Sequence, residues 1–220
     1  MKRILTSIIA LVAFASIASA QQNIYVCEGF RYEKHTVEST DDIVFSNDGL
    51  EVTIGDEETY ELSEIDSITF AEPQYPRVDI VYNGASATVN VSPSVKGVTY
   101  SINGARVTLT STTTTEEYLY SVSGASSNGS LVINGDYKLT VELAGLDLTN
   151  TSGPAIDIEC GKRIGVILKN GTVNNLADGK SGDHKGAFYT EGHPEFEGKG
   201  TLNVTGNTKH AICAKEYLQF

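Results

Sequence analysis

Apolar and polar residues alternate along most of the chain, and β-branched or aromatic residues fill many apolar positions. The runs VTLTST at 107–112, KLTVEL at 138–143 and TLNVTG at 201–206 have this period of two, which is typical of strands with one buried face. Glycine, asparagine and aspartate separate the runs, as in tight turns. Outside the first twenty residues, no window has the spacing of an amphipathic helix. The pattern predicts an all-β protein.

The second half of the chain repeats one phrase. AGLDLTNTSGPAIDIE at 144–159 aligns with GTLNVTGNTKHAICAK at 200–215, and NGTVNNLADGKSGDHKGAFYTE at 170–191 is the same phrase with an insertion. Repeats of roughly 20–30 residues that contain strands and turns indicate a solenoid, here a parallel β-helix. A β-sandwich of hairpins is the alternative, and it would not require the repeat.

Stacked repeats would align equivalent residues in rows. Ile156 and Ile158 should face inward and stack on Phe188 and Ile212. By alternation, the residues between them point outward and should form an exposed ladder: Asp157, Tyr189 and Cys213.

The first twenty residues have the features of a signal peptide. Lys2-Arg3 precedes a largely apolar stretch at 4–17, and Ala18-Ser19-Ala20 resembles a cleavage signal. The apolar stretch is shorter than the roughly 20 residues of a membrane-spanning helix. We therefore expect cleavage near Ala20, no transmembrane segment, and secretion.

Three further segments are distinguishable. Residues 22–71 read as a small β module, and 72–76 as a linker because Pro73 and Pro76 favour extended backbone. Residues 77–220 contain the repeats. No capping sequence is apparent before Phe220, so the solenoid is expected to be incomplete at its C-terminal end.

The charge and cysteine content of the chain exclude some classes of binding partner and site. The chain has 28 acidic and 16 basic residues and a formal net charge of −12, which disfavours nucleic acid. The three cysteines are too few and too far apart for a disulfide framework or a C-x-x-C zinc site. The oligomeric state stays open.

The stretches VDIVYNGASATVNVSPSVKGVTYSINGARVTLTS and SSNGSLVINGDYKLTVELAGLDLTNTSGPAIDIECGKRIGVILKNGTVNNLADG resemble secreted bacterial carbohydrate-binding domain proteins. The resemblance covers about 77–220. It implies a right-handed parallel β-helix related to calcium-dependent polysaccharide lyases, and binding of plant cell-wall polymers such as cellulose and polygalacturonate. Residues 22–71 resemble β modules of secreted Bacteroidetes proteins, which implies the periplasm or cell surface of a Gram-negative bacterium.

The chain departs from this family in its acidic residues. Family repeats commonly continue the alanine-aliphatic phrase with a small residue, a lysine and two acids. Here Ala214-Lys215-Glu216 is followed by Tyr217, so the second acid is missing. The family's calcium sites therefore cannot be transferred as a whole.

Calcium binds six to eight oxygen ligands held by turns. The best supply is the glycine-rich loop at 177–185, with Asp178 and Asp183, and Glu191 one strand later. Asp178-Gly179 also resembles the family's acidic turn. Asp157, with Glu159, is a second candidate. An ordinary Asp-Gly turn and a solvated loop charge are the alternative.

Glycan binding requires aromatic faces and fixed polar groups. Tyr189, with His184 and His193 close in sequence, is the candidate cluster, and Tyr217 is another candidate on the following repeat. The alternative is that these rings only cover the edges of the core.

The sequence therefore predicts a secreted, non-catalytic protein that binds an extracellular polysaccharide, with an acidic plant or microbial glycan and assistance by calcium as the favoured hypothesis. One rival is a calcium-dependent uronate lyase, whose base would be Lys185, Lys209 or Lys215. The other is a surface adhesin or structural scaffold. No G-x-S-x-G, P-loop or H-E-x-x-H motif is present.

Overall fold

The computed structural model describes residues 22–38, 42–55, 58–180, 182 and 184–220. The chain divides into two compact units, one extending to Pro73 and the other spanning Gln74–Phe220. The predicted signal peptide lies outside the described residues. Within them, the protein is all-β, and no helix is long and apolar enough to cross a membrane.

The described residues of the first unit form six short strands in two antiparallel sheets. They are β1 (Gln22–Glu28), β2 (Arg31–Val37), β3 (Ile43–Ser46), β4 (Glu51–Ile54), β5 (Thr59–Glu61) and β6 (Ser67–Thr69). The sheet orders are β2-β1-β6 and β3-β4-β5. The NDG sequence forms a 3-10 turn, Asn47–Gly49, between β3 and β4. Ile24 and Val26 of β1 pack with Val52 and Ile54 of β4 in one hydrophobic cluster.

In the second unit, the part of the chain that the structure describes forms fourteen strands. They are β7 (Arg77–Asn83), β8 (Ser86–Val91), β9 (Val98–Asn103), β10 (Arg106–Ser111), β11 (Leu119–Ser126), β12 (Ser130–Asn134), β13 (Leu139–Thr149), β14 (Ile156–Glu159), β15 (Arg163–Leu168), β16 (Val173–Ala177), β17 (Gly186–Thr190), β18 (His193–Gly198), β19 (Thr201–Thr205) and β20 (His210–Ala214).

Most of these strands pair in parallel with the equivalent strand of the next repeat. One ladder runs β10-β12-β14-β17-β20, and another runs β7-β11-β13-β15-β18. The end of β13 pairs with β16, and β16 with β19. Only the hairpin partners β8 and β9 join these sheets antiparallel. The chain thus visits each ladder in turn, which places the same part of successive repeats side by side.

The predicted inward row is present at Ile156 but not at Ile158. Ile156 pairs with Phe188, and Phe188 with Ile212, which confirms that inward row. Ile158 instead pairs with Thr190, so its expected place on the same row is wrong. One strand residue separates Ile156 from Ile158, and each therefore has its own row.

For the outward row, the predicted pairing is confirmed, but the predicted exposure of Tyr189 is wrong. Asp157 pairs with Tyr189, and Tyr189 with Cys213. Tyr189, however, is only 5% exposed. The imidazole of His184 stacks on its phenol ring and covers it from solvent. The three cysteines are free thiols in this structure.

A buried asparagine fixes the corner between two ladders. The Asn174 side-chain oxygen accepts hydrogen bonds from the backbone N–H groups of Gly145 and Leu146, both at 2.9 Å. Its amide nitrogen donates to the Thr201 carbonyl at 3.1 Å. These bonds satisfy backbone groups that would otherwise be buried without a partner where β13 bends.

A second polar anchor is Glu117, whose side chain is mostly buried. It accepts hydrogen bonds from Thr140 at 2.7 Å and from Arg163, and it pairs with Lys138 at 3.1 Å. Burial opposes ionisation of Glu117, but its hydrogen bonds and the Arg163 charge outweigh burial and hold its pKa below the usual value. The ionised carboxylate therefore stabilises the fold.

Glu117→Gln is expected to lower the free energy of unfolding by about 1–3 kcal/mol at pH 7. The folded-state pKa is depressed, so the wild-type contribution is present above the unfolded pKa of about 4.3 and disappears as the pH falls through the lower folded value. Urea titrations at several pH values measure this. The difference between variant and wild type should shrink with acid. An equal loss in Glu116→Gln, at an exposed neighbouring acid, would contradict the assignment.

Candidate functional site

The end of β17 and the segment after β20 bring most of the predicted site residues to one surface. We call this surface the β17–β20 corner; it comprises His184, Tyr189, Glu191, His193, Lys215, Glu216 and Tyr217. All four residues predicted to contact glycan belong to it, as two stacked pairs of rings. Parallel pairing of β17 with β20 places the two chain segments next to each other.

One half of the corner is built on Tyr189. The His184 and Tyr189 rings stack with centroids 3.9 Å apart and planes 14° from parallel. The Tyr189 hydroxyl donates to Glu191 at 2.9 Å. Burial raises the pKa of Tyr189, and the adjacent Glu191 carboxylate adds to the effect. Tyr189 is thus a neutral anchor under His184, and its own ring is not available to a ligand.

The centre of the corner is an ion pair. Lys215 Nζ lies 2.5 Å from one Glu191 carboxylate oxygen and 2.6 Å from the other. The hydrogen bond from Lys215 lowers the pKa of Glu191, and the same bond raises the pKa of Lys215. Lys215 is therefore held as a cation, with N–H groups to donate and no free lone pair.

The other half of the corner repeats the stacked arrangement. The rings of His193 and Tyr217 stack with centroids 4.6 Å apart and planes 20° from parallel. His193 Nδ1 lies 2.7 Å from a Glu216 carboxylate oxygen, which orients the imidazole. Tyr217 is 54% exposed. In contrast to Tyr189, it therefore presents aromatic surface to solvent.

Acidic residues adjoin the corner at β14. His184 Nδ1 lies 3.0 Å from Asp157 Oδ2 and 3.4 Å from Glu159 Oε1. Burial raises the pKa of Asp157; the hydrogen bond from His184 opposes this shift, and the charges of Glu159 and Glu191 reinforce it. Asp157, Glu159 and His184 each offer one ligand atom within 4.8 Å of the others.

The predicted calcium loop has a different arrangement. Asp178 is 2% exposed, and its carboxylate accepts the backbone N–H groups of Asn207 and Thr208 on the next repeat. These bonds stabilise a turn and argue against a metal-ligand role for Asp178. Asp183 lies outside the described residues.

The remaining described donors do not fit a calcium cage. Glu191 is bound to Lys215, so Asp157 and Glu159 supply the oxygens at β14, together with an imidazole nitrogen. Calcium prefers six to eight oxygen ligands, and imidazole is a poor substitute. Calcium binding stays a prediction from the sequence.

Sequence reasoning missed Glu216 as a partner of His193 and treated Lys215 only as a possible base. Lys215 is separated from Glu191 by most of one repeat, and the ion pair follows from the pairing of β17 with β20. Extending the predicted row by two residues on each repeat would have brought Glu191 and Lys215 together.

Two comparisons with known proteins give matches to carbohydrate-related proteins. A family model described as "Carbohydrate-binding domain-containing protein" matches residues 103–220, which include the whole corner. None of the curated proteins compared with the chain matches it.

A solved structure is similar in fold. It is that of a polysaccharide lyase-like protein from C. thermocellum, a gadolinium derivative, with a TM-score of 0.54 and 21% sequence identity. The match covers 64% of this chain and 57% of that chain, so this chain spans little more than half of that protein.

Proposed function

The chain belongs to the family of carbohydrate-binding domain-containing proteins, and from this we propose that it is a secreted, non-catalytic polysaccharide-binding protein. Family membership supports a polysaccharide ligand in general. The finer parts of the proposal are secretion through a signal peptide at 1–20, residence in the periplasm or at the cell surface of a Gram-negative bacterium of the Bacteroidetes, and an acidic glycan as ligand.

We propose further that residues 77–220 form a right-handed parallel β-helix, preceded by a β module at 22–71 and a linker at 72–76. The parallel ladders and the repeated phrase support this architecture. A solenoid of this kind offers long, straight rows of outward side chains, which suit an extended polymer.

The observation that carries the binding proposal is the exposed ring of Tyr217, two residues after Lys215 of the ion pair. Sugars bind to proteins through stacking of their C–H faces on aromatic rings and through hydrogen bonds to fixed polar groups. Tyr217, oriented by His193, supplies the ring. Lys215 and Glu191 supply fixed donors and acceptors, and the Lys215 ammonium can pair with a uronate carboxylate.

The lyase alternative is less well supported by the same geometry. A lyase base must accept a proton, whereas Lys215 is held protonated by Glu191. Lys185 Nζ donates to the Gly182 carbonyl at 2.9 Å. A lyase would produce the ultraviolet absorbance of unsaturated chain ends when incubated with pectate. We expect no increase in this absorbance.

Tyr217→Ala is expected to weaken polysaccharide binding about two- to tenfold, because loss of an aromatic stacking partner costs roughly 0.5–1.5 kcal/mol. Affinity electrophoresis of the full chain in gels containing polygalacturonate or soluble cellulose derivatives measures the change. The matched control is Tyr100→Ala: Tyr100 is 49% exposed and lies on β9, away from the corner.

Equal retention of wild type and both variants would place the ligand elsewhere on the chain. No retention of the wild type on any polysaccharide would leave the adhesin or scaffold role as the better explanation. Unchanged thermal unfolding of Tyr217→Ala is required for the comparison and is expected, since the ring is half exposed.

A further inference from the structure

Three different side chains converge beside the corner in an arrangement that polysaccharide binding does not explain. Asp157 and Glu159 are two residues apart on β14 and therefore point to the same face of the sheet. His184, from the segment before β17, lies over them, and its Nδ1 faces both carboxylates. This is a set of potential metal ligands from two adjacent repeats.

The spacing of the ligand atoms suits a small cation. Oxygen and nitrogen ligands roughly 2.0–2.2 Å from one tetrahedral ion lie about 3.3–3.6 Å from each other. Here the 3.4 Å between Nδ1 and Glu159 Oε1 lies in this range, and the 3.0 Å between Nδ1 and Asp157 Oδ2 is a hydrogen-bond length that would increase by a few tenths of an ångström around an ion. An imidazole Nδ1 carries at most one proton, so it cannot donate fully to both carboxylates.

The imidazole is also held in place from its other side. Its ring stacks on Tyr189 at 3.9 Å, and Tyr189 is fixed by its hydrogen bond to Glu191. Metal ligands oriented by neighbouring side chains lose little freedom on binding, which favours affinity.

Charge favours a cation at the same point. The Asp157 side chain is only 16% exposed, and it shares this space with the Glu159 carboxylate. Two carboxylates in a partly desolvated place repel each other unless positive charge lies between them. A divalent ion would compensate both, which one imidazole proton does not.

We propose that Asp157, Glu159 and His184 form a binding site for a divalent transition-metal ion, with Zn²⁺ as the best match. One imidazole nitrogen and two carboxylates are typical zinc ligands, whereas calcium selects oxygen. Three protein ligands leave a fourth position for water or for a ligand oxygen. The inference rests on the contacts of these three residues and does not depend on the polysaccharide proposal.

The test is titration of the full chain, freed of metal by chelator and dialysis, with ZnCl₂ in an isothermal calorimeter at pH 7.5 and with millimolar CaCl₂ present. We expect one Zn²⁺ per chain with micromolar or tighter affinity, little affected by calcium. Asp157→Asn and His184→Gln should each weaken binding at least tenfold, since each removes one ligand. Co²⁺ in place of Zn²⁺ should give a visible absorption spectrum that these variants lose.

The matched control is His193→Gln, which alters the similar His193–Glu216 pair of the corner; in that pair the structure brings one carboxylate to the imidazole. Its Zn²⁺ affinity should equal that of the wild type. The proposal is overturned if the wild type binds no Zn²⁺, if Ca²⁺ displaces it at equal concentration, or if the Asp157 and His184 variants bind it as the wild type does. If the wild type binds no Zn²⁺, Asp157, Glu159 and His184 form only an ion pair.

Discussion

Replacing Gly124 with alanine is expected to lower the free energy of unfolding by about 2–5 kcal/mol, as the sum of two terms. Gly124 has φ +83°, in the left-handed region, and a Cβ built there would lie 2.1 Å from the Tyr82 carbonyl oxygen. That oxygen belongs to β7, which pairs with β11 at this point, so it cannot move without separating the strands. Left-handed backbone costs roughly 1–2 kcal/mol and overpacking roughly 1–3 kcal/mol.

Gly145→Ala is the matched control for this prediction. Gly145 has almost the same backbone angle, φ +84°, but a Cβ there would meet no heavy atom within 4 Å. It should lose only the backbone contribution, about 1–2 kcal/mol. Guanidinium titrations of both variants provide the comparison. Equal losses would show that the close approach of β7 and β11 does not determine the cost.

Phe188→Ala is expected to cost about 3–5 kcal/mol, because it removes a fully buried ring from the centre of a row. Phe188 is 0% exposed, lies between Ile156 and Ile212, and contacts the Phe196 ring with centroids 5.6 Å apart. The surrounding strands are tied by backbone pairing and cannot collapse into the space. The same guanidinium titration measures the loss.

Phe220→Ala provides the control at an exposed phenylalanine. Phe220 is 83% exposed, although its ring stacks on Phe196. Its loss should stay within about 1 kcal/mol, as is usual for surface positions. A loss at Phe188 no greater than that at Phe220 would mean that the inward row contributes little to stability, contrary to the packing described above.

The sequence by itself determined the strands and their alignment between repeats. Alternation is a local property, since each side chain of a strand points to the opposite face from its neighbours. The repeated phrase then sets which residues share a row, because equivalent positions of adjacent repeats pair. That is why the rows Ile156–Phe188–Ile212 and Asp157–Tyr189–Cys213 could be written down from the sequence.

Only the tertiary structure decided what these outward residues contact. Tyr189 is buried because His184, from the segment before β17, stacks on its ring. The Asp178 carboxylate accepts hydrogen bonds from backbone N–H groups of the following repeat. The Asn174 side-chain oxygen accepts them from backbone N–H groups of the preceding repeat, at the bend of β13. Such contacts join residues roughly one repeat apart and depend on loop path and side-chain direction, which alternation does not encode.

Gly124 and Gly145 show the same division between what the sequence determines and what the tertiary structure determines. Gly124 and Gly145 share a left-handed backbone, and both lie within strands, β11 and β13. Whether a methyl group would meet an atom depends on how closely the next strand approaches. The period-two pattern therefore determined which residues form the sheets, and the separation and register of neighbouring repeats decided which positions cannot change and where ligands can bind.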